Sequence, residues 1–223
     1  MQAVVQFPDP NTADDDGLVA VGGELTSDFL ISAYMQGIFP WFSEEQPYLW
    51  WSPNPRMVLF PSEFKVSKSL RQLINSGKYE LRIDTAFKEV ITQCSKVPRP
   101  GQDGTWITDE MIEAYSELHK IGITHSFETW FEDRLAGGLY GISIGKVFFG
   151  ESMFFKERDA SKFALYYLVQ FCCENNFEFI DVQQSTAHLR SLGAKEMPRT
   201  EFLKILHNSV NKETIQGKWI VSR

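Results

Sequence analysis

Apolar residues in the second half of the chain follow a strand, strand, helix, strand pattern. Leu139–Ile144 and Lys146–Phe155 are predicted strands joined at Gly145, where glycine suits a tight turn. The second strand is apolar on both faces, which predicts a central position in its sheet. A helix follows from Asp159, and the chain returns as the strand Phe177–Gln184. A strand–helix–strand unit predicts a crossover that leaves its two strands parallel.

Two isolated acids lie within these apolar strands, Glu151 in the second and Asp181 in the last. A buried carboxylate is costly unless it is paired or placed for use. Ligands of such sheets bind where the strand ends open. We therefore predict the active cleft between these two strands.

The rest of the chain predicts an α+β fold with a mixed sheet. Further helices are expected at Thr26–Gln36, Ser67–Ser76, Thr85–Ser95, Thr108–Gly122 and Arg199–Val210. Further strands are expected at Met57–Phe60, Tyr79–Ile83, Ser126–Phe131, Leu135–Tyr140 and Trp219–Val221, with a loop at Pro98–Gly104. Pro61 and Ser62 open a new unit, so we expect a small N-terminal domain (1–62) and a larger C-terminal domain (63–223).

Composition narrows the class of protein. The chain has 223 residues, 43% of them hydrophobic, and no run long enough to span a membrane. Its first residues lack the features of a secretion signal, so a cytoplasmic protein is expected. The three cysteines form no disulfide pattern, and the four histidines lack ligand spacing. We expect neither a metal nor a cofactor. We expect the protein to be a monomer.

Charge is unevenly distributed along the chain. Residues 1–55 carry eight acidic and no basic residues, whereas residues 56–99 carry nine basic and four acidic ones. A basic segment in an acidic protein is typical of a polyanion site, although most charge runs are simply solvated faces. Lys65, Lys68 and Arg71 are the candidate phosphate contacts.

Short motifs along nearly the whole chain carry a family resemblance. They are Gly37–Phe42, Trp50–Arg56, Gly104–Thr108, His125–Ser126, Gly137–Gly141, Gly150–Phe154, Ala160–Lys162, Ile180–Gln183 and Ser191–Ala194. In this order they resemble the bacterial leucyl/phenylalanyl-tRNA–protein transferases. The resemblance implies a C-terminal domain like the GCN5-related N-acetyltransferases. It implies transfer of Leu or Phe (less well Met) from aminoacyl-tRNA to proteins that begin with Lys or Arg, which marks them for N-end rule degradation.

The resemblance also implies roles for single residues. It places the catalytic pair at Asp181 and Gln183, which as positions i and i+2 would share one strand face. Asp181 would collect the amine's proton, or instead cap nearby backbone. Glu151 would select a basic acceptor, or instead pair with Lys146 or Lys162. Candidates for the aminoacyl pocket are Phe148, Met153 and Phe179, and candidates for the terminal adenosine are Trp41 and Trp106; each could equally be a packing residue.

Other classes of protein remain open at this point. Glu157–Ser161 lacks the glycine-rich loop that cradles the pyrophosphate of CoA, which disfavours an acyl-CoA N-acetyltransferase. A non-catalytic module that binds tRNA or protein N-termini is a second alternative. A transferase that adds amino acids to peptidoglycan precursors is a third.

Overall fold

The computed structural model describes residues 3–98 and 105–220. Its helices are α1 (Ser27–Met35), α2 (Lys68–Asn75), α3 (Phe87–Ser95), α4 (Asp109–Lys120), α5 (Ala160–Glu174), α6 (Ala187–Ser191) and α7 (Arg199–Val210). Its strands are β1 (Leu18–Val21), β2 (Phe39–Pro40), β3 (Leu49–Trp51), β4 (Arg56–Leu59), β5 (Glu80–Ile83), β6 (Thr124–Phe131), β7 (Arg134–Ile144), β8 (Val147–Phe155), β9 (Phe179–Gln183) and β10 (Lys195–Met197).

The strands form a small and a large sheet. The small sheet has the order β1-β3-β2, and the seven-stranded sheet has the order β10-β4-β9-β8-β7-β6-β5. Strands β8 and β9 are parallel, and the other neighbours in the large sheet are antiparallel. The predicted α+β fold with a mixed sheet is confirmed, and β8 is its middle strand as predicted.

The N-terminal unit packs against the large sheet. One hydrophobic cluster joins Phe39 and Trp50 of the small sheet to Tyr115 of α4 and Phe149 of β8. Strand β4 already belongs to the large sheet, so the chain changes sheets between β3 and β4. This change comes before the boundary predicted after residue 62.

Short side chains cap several helices where the sequence predicted them. The hydroxyl oxygens of Thr26, Ser67 and Thr108 each accept a hydrogen bond from the backbone N–H three residues later. Such bonds satisfy donors that the first helical turn leaves unpaired. The predictions of α1, α2 and α4 are therefore confirmed to within about two residues at their ends.

Two strand predictions are corrected. The expected strands Leu135–Tyr140 and Leu139–Ile144 are one continuous strand, β7. Trp219 lies in no strand; its N–H donates to the Asp84 carboxylate over 2.8 Å and its ring stacks on His125. Val221 and residues 99–104 of the predicted loop lie outside the described residues. Within the described ranges, no helix combines the length and the apolar character that a membrane span requires.

Candidate active site

The candidate site lies where the two parallel strands separate. β8 and β9 pair only as far as Phe149 and Asp181, and Glu151 and Gln183 follow two residues beyond. The register also shifts at this level between β7 and β8 and between β4 and β9. Such bulges redirect side chains and are common beside active sites. Here they bring two polar groups together, since Gln183 Nε2 donates to Glu151 Oε1 over 2.7 Å.

Glu151 is held in a buried network of hydroxyl and amide donors. Its side chain accepts from the Tyr115 hydroxyl over 3.2 Å, and the Tyr34 and Tyr115 hydroxyls lie 2.6 Å apart. Burial raises the pKa of Glu151 to about 7, and hydrogen bonds from Tyr34, Gln183 and Tyr115 oppose this rise. Burial and the charge of Glu151 raise the pKa of both tyrosines, so their hydroxyls stay protonated.

The lysines considered as partners of Glu151 lie elsewhere. Lys146 Nζ donates to the Asn175 carbonyl over 3.2 Å, and Lys162 pairs with Asp159 over 2.7 Å. Among the ion pairs of the described residues, none involves Glu151. No cation of residues 3–98 or 105–220 therefore pairs with its charge.

Asp181 is fully buried and does not face the gap that opens between β8 and β9 where these strands separate. Arg56 donates from Nε to Oδ1 over 2.9 Å and from Nη2 to Oδ2 over 2.6 Å. The Gln183 backbone N–H donates to Oδ1 over 3.0 Å, which is the backbone-capping bond considered as the alternative role. In this arrangement the carboxylate does not meet a substrate amine directly.

Gln183 has an unusual backbone conformation. Its φ of 61° lies in the left-handed region, which costs a non-glycine residue about 1–3 kcal/mol. The carboxylate of Asp181, by accepting the Gln183 N–H, helps to hold this conformation. The two side chains therefore do not share one face as regular alternation predicted: Asp181 faces Arg56, and Gln183 faces Glu151.

The gap opens into a cavity of about 410 Å³, a volume typical of small-molecule sites. Its apolar lining includes Leu139, Met153, Leu165, Leu168 and Ile180. Among the described residues that line it, Glu151 is the only acidic one. No group of three or more potential metal ligands converges within residues 3–98 and 105–220.

One of the three candidates for the aminoacyl pocket lines this cavity. Met153 is in the lining, whereas Phe148 and Phe179 are almost fully buried in the core. The ring of Phe148 packs beside Trp219, and that of Phe179 beside Phe202. Both phenylalanines lie in the paired part of β8 and β9, before the strands separate. Phe148 and Phe179 therefore do not line this cavity, and their role in the aminoacyl pocket stays a prediction.

Both candidate tryptophans line the cavity. Trp41 is partly exposed and lies beside the ring of Trp51, with 5.8 Å between centroids. Trp106 is 8% exposed and precedes α4. The N-terminal unit and the large domain therefore each supply one tryptophan to the same cavity.

The candidate phosphate contacts lie on an exposed surface. Lys65, Lys68 and Arg71 are all exposed and take part in no ion pair within the described part of the chain. The Lys65 N–H donates to the Leu192 carbonyl over 2.9 Å, just after α6. Since α6 supplies Leu189 to the cavity lining, the basic segment is connected to one side of the site.

Three residues of the network were not predicted as site residues. Arg56 follows a proline-rich loop and precedes an apolar strand, while Tyr34 and Tyr115 occupy core positions of their helices. Chemistry offers the signal that could have identified them. A buried arginine or tyrosine hydroxyl needs a hydrogen-bond partner, and the isolated acids in the apolar strands need hydrogen-bond donors.

The fold and the cavity define an α+β protein with a largely apolar cavity beside a buried acid. A family model described as "Leucyl/phenylalanyl-tRNA protein transferase" matches residues 58–207, and the model of its N-terminal domain matches residues 23–54. The chain belongs to the leucyl/phenylalanyl-tRNA protein transferase family. It is therefore an aminoacyltransferase whose substrates are an aminoacyl-tRNA and a protein.

Curated relatives match this chain over almost its full length. The leucyl/phenylalanyl-tRNA–protein transferase of Desulfatibacillum aliphaticivorans is 50% identical and covers 98% of this chain and 94% of the relative. The transferase of Thermodesulfovibrio yellowstonii is 53% identical, and the alignment covers 96% of this chain and 87% of that relative. Among solved structures, an aminoglycoside acetyltransferase from an uncultured soil metagenomic sample is 12% identical, with a TM-score of 0.40, and covers 66% of this chain and 99% of that one.

Proposed function

We propose that this protein transfers Leu or Phe, and less efficiently Met, from aminoacyl-tRNA to the α-amine of proteins that begin with Arg or Lys. The product would carry the N-terminus of an N-end rule substrate. The observation that carries the proposal is Glu151, a buried acid that pairs with no cation of the described residues and lies beside an apolar cavity, where the two parallel strands separate.

The donor's side chain would occupy the apolar part of the cavity. Leu139, Met153, Leu165, Leu168 and Ile180 offer it no hydrogen-bonding side chain, so they favour an apolar amino acid. When two side chains differ by one methylene, an apolar wall of this kind distinguishes them by a binding free energy of only about 1–3 kcal/mol. Tolerance of Leu, Phe and Met together fits this weak discrimination.

The terminal adenosine and the tRNA backbone would lie outside this pocket. Trp41 and Trp106 offer ring surfaces, and stacking on a base contributes about 1–3 kcal/mol. Lys65, Lys68 and Arg71 would contact phosphates, since no acidic side chain of the described residues pairs with them.

The acceptor would be recognised by Glu151 and Gln183. The Glu151 carboxylate attracts the cationic side chain of an N-terminal Arg or Lys, and a charge-assisted bond favours it over a neutral residue. Gln183 donates its amide N–H to Glu151, which leaves its amide oxygen for the acceptor's α-amine. Asp181, predicted to receive the amine's proton, would instead act through Gln183 as a positioning residue.

The reaction needs positioning more than activation, because an aminoacyl ester is already activated. The neutral α-amine attacks the ester carbonyl carbon, the new C–N bond forms, and the C–O bond to the tRNA ribose breaks. One proton leaves the nitrogen and one reaches the ribose oxygen. A free α-amine has a pKa of about 8, so holding its neutral form near the ester is the main task.

A transfer assay tests the proposal. Purified protein is incubated with radiolabelled Leu-tRNA and peptides that begin with Arg, Lys or Ala, and acetyl-CoA replaces the tRNA in a parallel reaction. We expect label in the Arg and Lys peptides only, and no acetyl transfer. The Glu151→Gln variant should lose most of its preference for Arg over Ala. Equal labelling of all three peptides, or no labelling by a protein that binds tRNA, would overturn the proposal.

A further inference from the structure

Arg56 is a buried cation that the proposed reaction does not use directly. Its guanidinium lies between the rings of Phe39 and Phe202, 4.8 Å and 4.6 Å from their centroids. Arg56 and Asp181 are both fully buried, and two parallel N–H···O bonds join them. Buried ion pairs contribute little net stability compared with apolar residues of similar size. The pair therefore invites an explanation other than stability.

Hydrogen bonds connect this pair to the cavity in three steps. Arg56 holds the Asp181 carboxylate, Asp181 Oδ1 accepts the Gln183 N–H over 3.0 Å, and the Gln183 amide donates to Glu151 over 2.7 Å. Gln183 needs this support because its φ is 61°. The β4–β9 register also shifts between Met57 and Val58, so Gln183 pairs with Met57 only beyond an irregularity in the ladder.

We infer that Arg56 is a positioning residue for the transfer reaction: it orients Asp181, and through Asp181 it holds the Gln183 amide against Glu151. Arg56 itself touches no substrate. The inference rests on the proposed function for its link to catalysis, while the positioning of Gln183 is independent of it. Lysine would not replace Arg56, because only the planar guanidinium binds both carboxylate oxygens at once.

The deciding experiment removes both charges together. Replacing Arg56 alone leaves a buried carboxylate unpaired and risks unfolding, whereas the double variant Arg56→Met/Asp181→Leu leaves no unpaired charge. We expect the double variant to fold, to keep its KM for Leu-tRNA within about threefold, and to lose at least about tenfold in kcat, in line with the effect of misplaced catalytic groups. Arg56→Lys, which keeps the charge, should fold and show a smaller loss of kcat.

A second readout does not depend on activity. Isotope-edited infrared or NMR titration of Glu151, assigned by comparison with Glu151→Gln, follows its carboxyl group directly. Tyr34, Tyr115, Gln183 and Asp181 are the groups that influence it. The Gln183 hydrogen bond lowers the pKa of Glu151 by more than the charge of Asp181 raises it. The titration should therefore move to higher pH in the double variant, which loses both effects, and in Arg56→Lys, which keeps Asp181.

A folded double variant with wild-type kcat and an unmoved Glu151 titration would overturn the inference. If the double variant does not fold, Arg56→Lys decides by the same two measurements. If the wild-type protein transfers nothing, the proposed function fails, but the Glu151 titration still tests whether Arg56 positions Gln183.

Discussion

At the residue scale, Glu151 combines a cost in stability with a proposed role in binding. Apolar surroundings disfavour its charged form and raise its pKa to about 7, and the tyrosines and Gln183 offset part of this effect. A bound Arg or Lys side chain would supply the missing counter-charge. Active sites commonly retain such destabilising groups because substrate binding needs them.

Glu151→Gln should stabilise the protein in a pH-dependent way. The unfolded chain releases the Glu151 proton near the usual pKa of 4.5, whereas the folded protein keeps it up to about pH 7. The contribution of Glu151 to stability therefore decreases by up to about 3 kcal/mol between these two pH values and is constant above them. Denaturant unfolding of both proteins at pH 4.5 and pH 8 should show a larger gain for the variant at pH 8. An equal gain at both would contradict a raised pKa.

At the element scale, most helices and the central strand were predictable because local signals mark them. Thr26, Ser67 and Thr108 are N-cap residues that indicate where helices begin. Gly145 has a φ of 59°, which suits the turn between β7 and β8. Strands β2, β3 and β10 have only two or three residues, too few to show alternation.

The interior of the site was less predictable than the elements that carry it. The bulge beside Glu151 lies within the β7–β8 hairpin, and the left-handed Gln183 lies opposite β4, which is distant in sequence; neither feature leaves a mark in the hydrophobic pattern. Hydrophobic patterns locate a strand but not the point at which it leaves its neighbour. For this reason Phe148 and Phe179 were assigned to the pocket, although they precede the separation of the strands.

The exposed basic residues around α2 should control tRNA affinity without affecting stability. We expect the Lys65→Gln/Lys68→Gln/Arg71→Gln variant to bind Leu-tRNA more weakly. The slope of log K against log salt should become shallower by about 2–3, since each lost phosphate contact removes about 0.7–0.9. Lys120→Gln serves as the control, because Lys120 is equally exposed and pairs with Glu117 outside the cavity. An unchanged slope, measured by filter binding across a salt series, would rule out these phosphate contacts.

At the scale of the whole molecule, the N-terminal unit and the large sheet depend on each other. They share one hydrophobic cluster, both line the cavity, and the Tyr34–Tyr115 contact joins α1 to α4. Separate folding would expose Phe39, Trp50 and Phe149 to water, at about 1.5–3 kcal/mol for each side chain.

Unfolding should therefore be a single cooperative transition. Tryptophan fluorescence reports on both units, since three of the six tryptophans (Trp41, Trp50 and Trp51) lie in the N-terminal unit, whereas far-ultraviolet circular dichroism is weighted toward the helices of the large domain. The two signals should give coincident midpoints in a denaturant titration, which is the usual test of two-state behaviour. An earlier midpoint for fluorescence would show that the N-terminal unit unfolds by itself.

The separation of β8 and β9 also has a use in protein engineering. Under the proposed reaction, α5 supplies Leu165 and Leu168 to the donor's pocket, whereas Glu151 on β8 meets the acceptor. Because α5 carries donor contacts and no acceptor contact, substitutions on α5 can change the range of amino acids delivered without altering Glu151, which selects the protein. A smaller residue at position 168, for instance, would make room for bulkier synthetic amino acids and turn the protein into a reagent for labelling chain ends.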